Sequence, residues 1–214
     1  MICSTRTLGI NGIYGSLIRV ECYITNGLPA FDIVGLPDTA VKEARERVRA
    51  AAKTSGMRFP AGRITVNLAP ASLKKTGTHY DLPILIAILS AYDTVQRPPS
   101  TAAFLGELSL DGEIRPVTGV LPMAIAAKKA GIETLYVPAQ NAAEATLSRG
   151  PAIIPVRTVR ELISALNGET VLEEEPIWIP ERRIRELLDF KDVLGQEMPK
   201  EHWRLPLPAD IMCS

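Results

Sequence analysis

The phrase Phe31-Asp-Ile-Val-Gly-Leu-Pro-Asp38, and after it Arg63-Ile-Thr-Val-Asn-Leu-Ala-Pro70, decides the fold. Each joins a short β-branched strand to a turn marked by Gly or Pro. Between them Asp38 stands where a carboxylate caps a helix. Val41, Ala44, Val48, Ala51 and Ala52 then recur at helical spacing to about Ser55, and Gly56 supplies the stop. Strand, helix and strand in this order predict a sheet backed by a helix. The run Ile64 to Leu68 is short and apolar, which suits a central strand.

Outward from this core, Thr5–Leu8 and Ser16–Ile24 read as strands, with Gly12 and Gly15 in the turn between them. In the second, Ile18, Val20, Cys22 and Ile24 alternate with Leu17, Arg19, Glu21 and Tyr23. Asp81 reads as the cap of a helix from Leu82 to about Tyr92, apolar nearly all round and therefore buried. Phe104–Leu110 and Glu113–Val117 flank Asp111-Gly112, a two-residue hairpin signal. From Gly119 the pattern runs helix (to Ala130), strand (Thr134–Val137), helix (Ala139–Leu147), strand (Ala152–Val156), helix (Val159–Leu166). That alternation is of α/β type.

The chain has 214 residues, 46% hydrophobic and 22% charged, an ordinary composition for a soluble protein with a sizeable core. No run approaches the length of a membrane helix, and no secretory signal opens the chain, so a cytoplasmic location without membrane contact is expected. Cys3, Cys22 and Cys213 form no CxxC and read as free thiols; Cys3 and Cys22 could be neighbours on adjacent strands. Net charge is zero but unevenly placed. Residues 1–167 hold 18 Lys/Arg against 13 Asp/Glu, whereas residues 168–214 hold 6 against 11. A domain over 1–167 is expected, then a linker over 168–187 that includes the proline-interrupted Glu173-Glu-Glu-Pro-Ile-Trp-Ile-Pro180.

With these phrases in view the chain resembles the N-terminal domain of the ComM/YifB family, magnesium-chelatase-like AAA+ ATPases of bacteria. VGLPDTAVKEARERVRAA, RITVNLAPASLKKTGTHYDLPI and FLGELSLDGEIRPVTGVLPMA carry the resemblance, in order, within residues 1–197. It implies an α/β (α+β) fold with a mixed sheet packed with helices, like the proteolytic domain of Lon and the C-terminal domain of RadA. It further implies a hexameric parent that uses ATP and Mg to drive DNA branch migration during recombination and natural transformation.

Lon-type proteolysis needs a serine nucleophile and a lysine of lowered pKa. Alignment to that pattern puts the serine position at about Tyr80 and the lysine position at about Leu121, and neither residue can do the work. The resemblance therefore implies a noncatalytic domain. A Lon-like hydrolase with a relocated site, using His79 and Asp81 as an acid/base set, is the alternative; a chelatase subunit fragment is a third. The structural reading makes Asp81 a helix cap and His79 a loop residue, and alternate positions seldom face each other. Lys42, Arg45, Arg49 and Lys53 share one side of the first helix, with Lys74 and Lys75 in a later loop. Such a stripe can hold DNA phosphates, or it can be a solvated face with Glu43–Arg47 and Glu46–Arg49 pairs.

No GxxxxGK[ST] and no metal-ligand spacing occurs, so no cofactor is assigned to this chain. Residues 188–197 resemble the family's lead-in to the motor domain, where Gly195 and Gln196 would lie beside the adenine pocket. Over 198–214 the expected helix is replaced by a segment carrying Pro206 and Pro208, which no helix interior accepts. Synonymous codons for Glu197 to Ser214 can be chosen so that a shifted frame, read from the third base, gives NAKRALEIAAAGGHNVL, the kind of continuation the family shows. The tail is thus read as an out-of-frame translation of a longer gene, which the DNA sequence would decide.

Overall fold

The structure is a computed structural model and describes residues 1–178. The readings placed on Gly195, Gln196, the motor lead-in and the tail lie outside the described residues.

Strands β1 (Ile2–Asn11), β2 (Tyr14–Thr25), β3 (Ala30–Val34) and β4 (Arg63–Ala69) form one sheet in the order β1-β2-β4-β3. β2 is antiparallel to β1 and β4, whereas β3 runs parallel to β4. The parallel pair requires a crossover, and helix α1 (Thr39–Thr54) supplies it. Asp38 caps α1 by accepting from the Val41 N–H at 2.8 Å, and Gly56 ends it at φ 78°. Period two along β2 turns Ile18, Val20, Cys22 and Ile24 inward, where Ile64, Val66 and Leu68 of β4 meet them. Helix α2 (Asp81–Ala91), buried at every position, and the apolar side of α1 close this core.

A second sheet is wholly parallel: β5 (Ala102–Phe104), β8 (Thr134–Pro138) and β9 (Ala152–Val156), in the order β5-β8-β9. A hairpin of β6 (Glu107–Leu108) and β7 (Ile114–Arg115) and helix α3 (Val120–Lys129) lie between β5 and β8 in the chain. Helices α4 (Ala142–Thr146) and α5 (Val159–Leu166) follow β8 and β9. The second core joins this sheet and α3 to Leu8, which projects from the other face of β1. Buried hydroxyls on β1 are satisfied across the junction: Thr5 donates to the Pro83 carbonyl at 3.0 Å and Thr7 to that of Phe104 at 2.7 Å.

Several expectations are corrected. Gly15 is not in the turn, which is Gly12-Ile13; it lies inside β2, where a Cβ would come within 2.6 Å of the Ala126 Cβ. The apolar run Phe104–Leu110 is not one strand. β5 pairs with β8, strand pairing lapses over Leu105-Gly106, and β6 pairs with β7. Asp111-Gly112 is not a two-residue loop but the second half of a turn from Ser109, whose carbonyl accepts from Gly112 N–H at 3.2 Å. The helix expected over Ala139–Leu147 divides into a 3-10 turn, Ala139–Asn141, and α4.

Cys3 and Cys22 are register partners, buried and unbridged. Met1 and Ile24 exchange both backbone hydrogen bonds, so two steps along the ladder Cys3–Cys22 is again a hydrogen-bonded pair. That register holds Cβ atoms about 5.5 Å apart, farther than a disulfide spans. Among the described residues no helix is long and apolar enough to cross a membrane. Residues 171–178 carry no helix or strand; the Glu175 N–H donates to the Ile153 carbonyl at 2.8 Å.

Candidate functional site

Lys42, Arg45, Arg49 and Lys53 are all exposed on the side of α1 away from the core. None makes an ion pair among the described residues. Arg45 is steadied through backbone carbonyls, donating to Lys42 at 3.0 Å and to Phe31 at 3.3 Å. Lys74 is exposed in the loop after β4, but Lys75 is fully buried and its ammonium donates to the Pro70 carbonyl. Desolvation lowers its pKa. Lys75 therefore extends no basic surface, which corrects the expectation for that loop. Its role is to stitch loops: its N–H donates to Leu36 at 3.1 Å, and its carbonyl accepts from Asp38 at 2.9 Å.

The helix bearing the stripe is fixed by an ion pair that residue spacing does not reveal. Asp81 is not a helix cap; Tyr80 holds that position, with no side-chain bond. The carboxylate instead takes the Arg47 fork, Nε to Oδ2 at 2.6 Å and Nη2 to Oδ1 at 2.9 Å, and accepts the Leu108 N–H at 3.2 Å. Burial pushes the Asp81 carboxyl up to about 6, against the opposing pull of Arg47. The Glu43–Arg47 contact is present at 3.9 Å. A signal existed in the sequence: a lone carboxylate heading a wholly apolar helix needs a buried cation.

With both carboxylate oxygens committed to Arg47, Asp81 forms no acid/base set with His79. The His79 ring is 4% exposed and tilted against Tyr80, centroids 4.1 Å apart. Burial lowers its pKa to about 4, and Nε2 has no partner among the described residues. Tyr80 is buried in the loop before α2, and desolvation raises its phenol above the usual range. It lines a cavity of about 140 Å³ with Gly9, Ser16, Thr76 and Lys74. Leu121 is half-buried in the first turn of α3, where its N–H donates to Glu144 at 3.1 Å.

Residues 20–141 match the family model described as "Subunit ChlI of Mg-chelatase". The chain is 40% identical to YifB of Salmonella typhimurium over 88% of its length and 37% of that protein's. It is 39% identical to the competence protein ComM of Haemophilus influenzae, over 88% of this chain and 38% of ComM. A Lon protease of Mycolicibacterium smegmatis matches 63% of the chain at 28% identity, over 18% of its own length. The mixed sheet with its helices thus has the Lon-like character expected of it. The chain spans under two fifths of the YifB and ComM relatives it matches.

Proposed function

The chain belongs to the ComM/YifB family of magnesium-chelatase-like proteins, and we propose that it serves there as a noncatalytic accessory domain in DNA branch migration and recombination. The observation that carries this reading is the chemistry at the Lon-type dyad positions. Tyr80 offers a buried phenol held in its protonated form, and Leu121 offers no base. Peptide cleavage has no nucleophile there. In this reading ATP and Mg belong to a motor in the rest of the protein, whose ring is a homohexamer. The domain's own part is contact with DNA through Lys42, Arg45, Arg49 and Lys53, aligned on one helix face.

Two measurements test the proposal. The purified chain should cleave no peptide; cleavage abolished by His79→Ala would instead support the relocated hydrolase. Binding of a DNA oligonucleotide should weaken in a Lys42→Ala/Arg45→Ala/Arg49→Ala variant. The slope of log affinity against log salt should fall by roughly 0.7–0.9 for each phosphate that is no longer neutralised. Unchanged affinity and slope would reject the patch.

A further inference from the structure

Arg6 and Arg19 stand directly opposite each other on the outer face of β1 and β2. The double hydrogen bond between Met1 and Ile24 sets the alternation of this ladder and makes Arg6–Arg19 a non-hydrogen-bonded pair. In that register side chains approach most closely, and like charges directly opposite are destabilising. The ladder thus sets two like charges side by side at positions that the core does not fill. Arg97, from the loop after α2, joins them on a cavity of about 530 Å³ lined also by Ser4, Glu21 and Pro98.

Among the described residues Glu21 is the one carboxylate of this lining. It accepts from Asn67 at 2.8 Å and lies 4.0 Å from Arg19, while Arg6 and Arg97 make no ion pair among the described residues. The same alternation turns the N–H groups of Ser4 and Arg6 away from β2, toward the cavity. Three guanidinium groups with backbone N–H donors form a setting for a dianion with several acceptor oxygens. A peptide strand added here would be held by β1 alone, since Pro98 and Pro99 on the facing segment offer no N–H. The volume suits a small ligand and is too narrow for a duplex.

We propose that the cavity between the outer edge of β1, unpaired among the described residues, and residues 97–102 binds a phosphoryl group, carried by a nucleotide or by the terminus of a single nucleic-acid strand. The site lies across the sheet from α1, and it stands independently of the basic stripe.

Amide spectra of the full chain titrated with dTMP provide the test, with inorganic phosphate and a 5′-phosphorylated thymidine oligonucleotide as parallel probes. Ser4 and Arg6 amides should shift, and Arg6→Ala/Arg97→Ala should weaken binding at least about tenfold, the loss expected of charged hydrogen bonds. The Lys42/Arg45/Arg49 alanine variant should bind dTMP as the parent chain does, whatever becomes of its contact with DNA. Tighter binding of the oligonucleotide than of dTMP assigns the strand terminus; equal binding assigns the nucleotide. Arg97→Glu, in an exposed loop, repeats the test where the double variant folds poorly. Shifts absent at millimolar dTMP, or affinity retained in both variants, would overturn the proposal.

Discussion

At the scale of single residues, the Arg47–Asp81 pair is the most consequential contact near the basic stripe. The Asp81 side chain is fully buried and that of Arg47 is 19% exposed, so removing one partner leaves the other charged and unpaired. Arg47→Ala should destabilise the chain by about 3–5 kcal/mol in urea unfolding, whereas Arg47→Met with Asp81→Leu should recover most of that stability. A double variant no more stable than Arg47→Ala would show that the pair is not the cause. His79 and Asp81 also tilt stability with pH in opposite senses. The Asp81 pKa is raised from 3.8 to about 6, so its contribution is full below about 4 and is lost as pH rises through 6. That of His79 is lowered from 6.5 to about 4, so its contribution is full above 6.5 and is lost as pH falls toward 4. Relative to the parent chain, Asp81→Asn should therefore lose stability more steeply on acidification, and His79→Phe less steeply. Denaturant titrations between pH 4 and 6.5 measure both slopes, and two variants that parallel the parent would remove the assignment.

Among the elements, legibility followed periodicity. β9 and α5 lie at the residues their patterns marked, and α1 shows the expected buried and exposed sides because its apolar positions repeat without interruption. The run Phe104–Leu110 misled because it has no period. What divides it is packing set elsewhere: Gly106 sits against Leu82 and Ile114, so the strand pairing changes partner where a side chain has no room. Gly15 carries the same lesson. A glycine near a turn reads as part of the turn, and only the position of α3 reveals a close approach instead. Gly15→Ala would place its Cβ 2.7 Å from the Pro122 carbonyl oxygen. It should cost about 1–3 kcal/mol by forcing α3 away from β2. Thermal unfolding of that variant tests this, since a midpoint equal to the parent's would mean that α3 yields freely.

For the whole molecule, the two candidate anion sites differ in how they could be read. The stripe on α1 was legible because four cations at helical spacing lie within one segment, and exposure follows from the apolar side opposite. The cavity was not, since Arg6, Arg19 and Arg97 meet only through strand register and the placement of the loop after α2. α1 packs against the inner face of the four-stranded sheet, while Arg6 and Arg19 project from the outer one, so no side chain serves both sites. Energetic independence follows for any ligand too short to reach from one to the other, with the effects of the two sets of substitutions adding to within about 0.5 kcal/mol. A single strand long enough to pass around the sheet edge would engage the second site at the effective concentration its own length sets. Combining the α1 alanine substitutions with Arg6→Ala/Arg97→Ala should then weaken binding additively for short phosphorylated oligonucleotides. For long ones, either set alone should already remove most of the gain in affinity that length confers. Affinity independent of strand length would mean that the two faces never hold one strand together, and that they meet separate ligands.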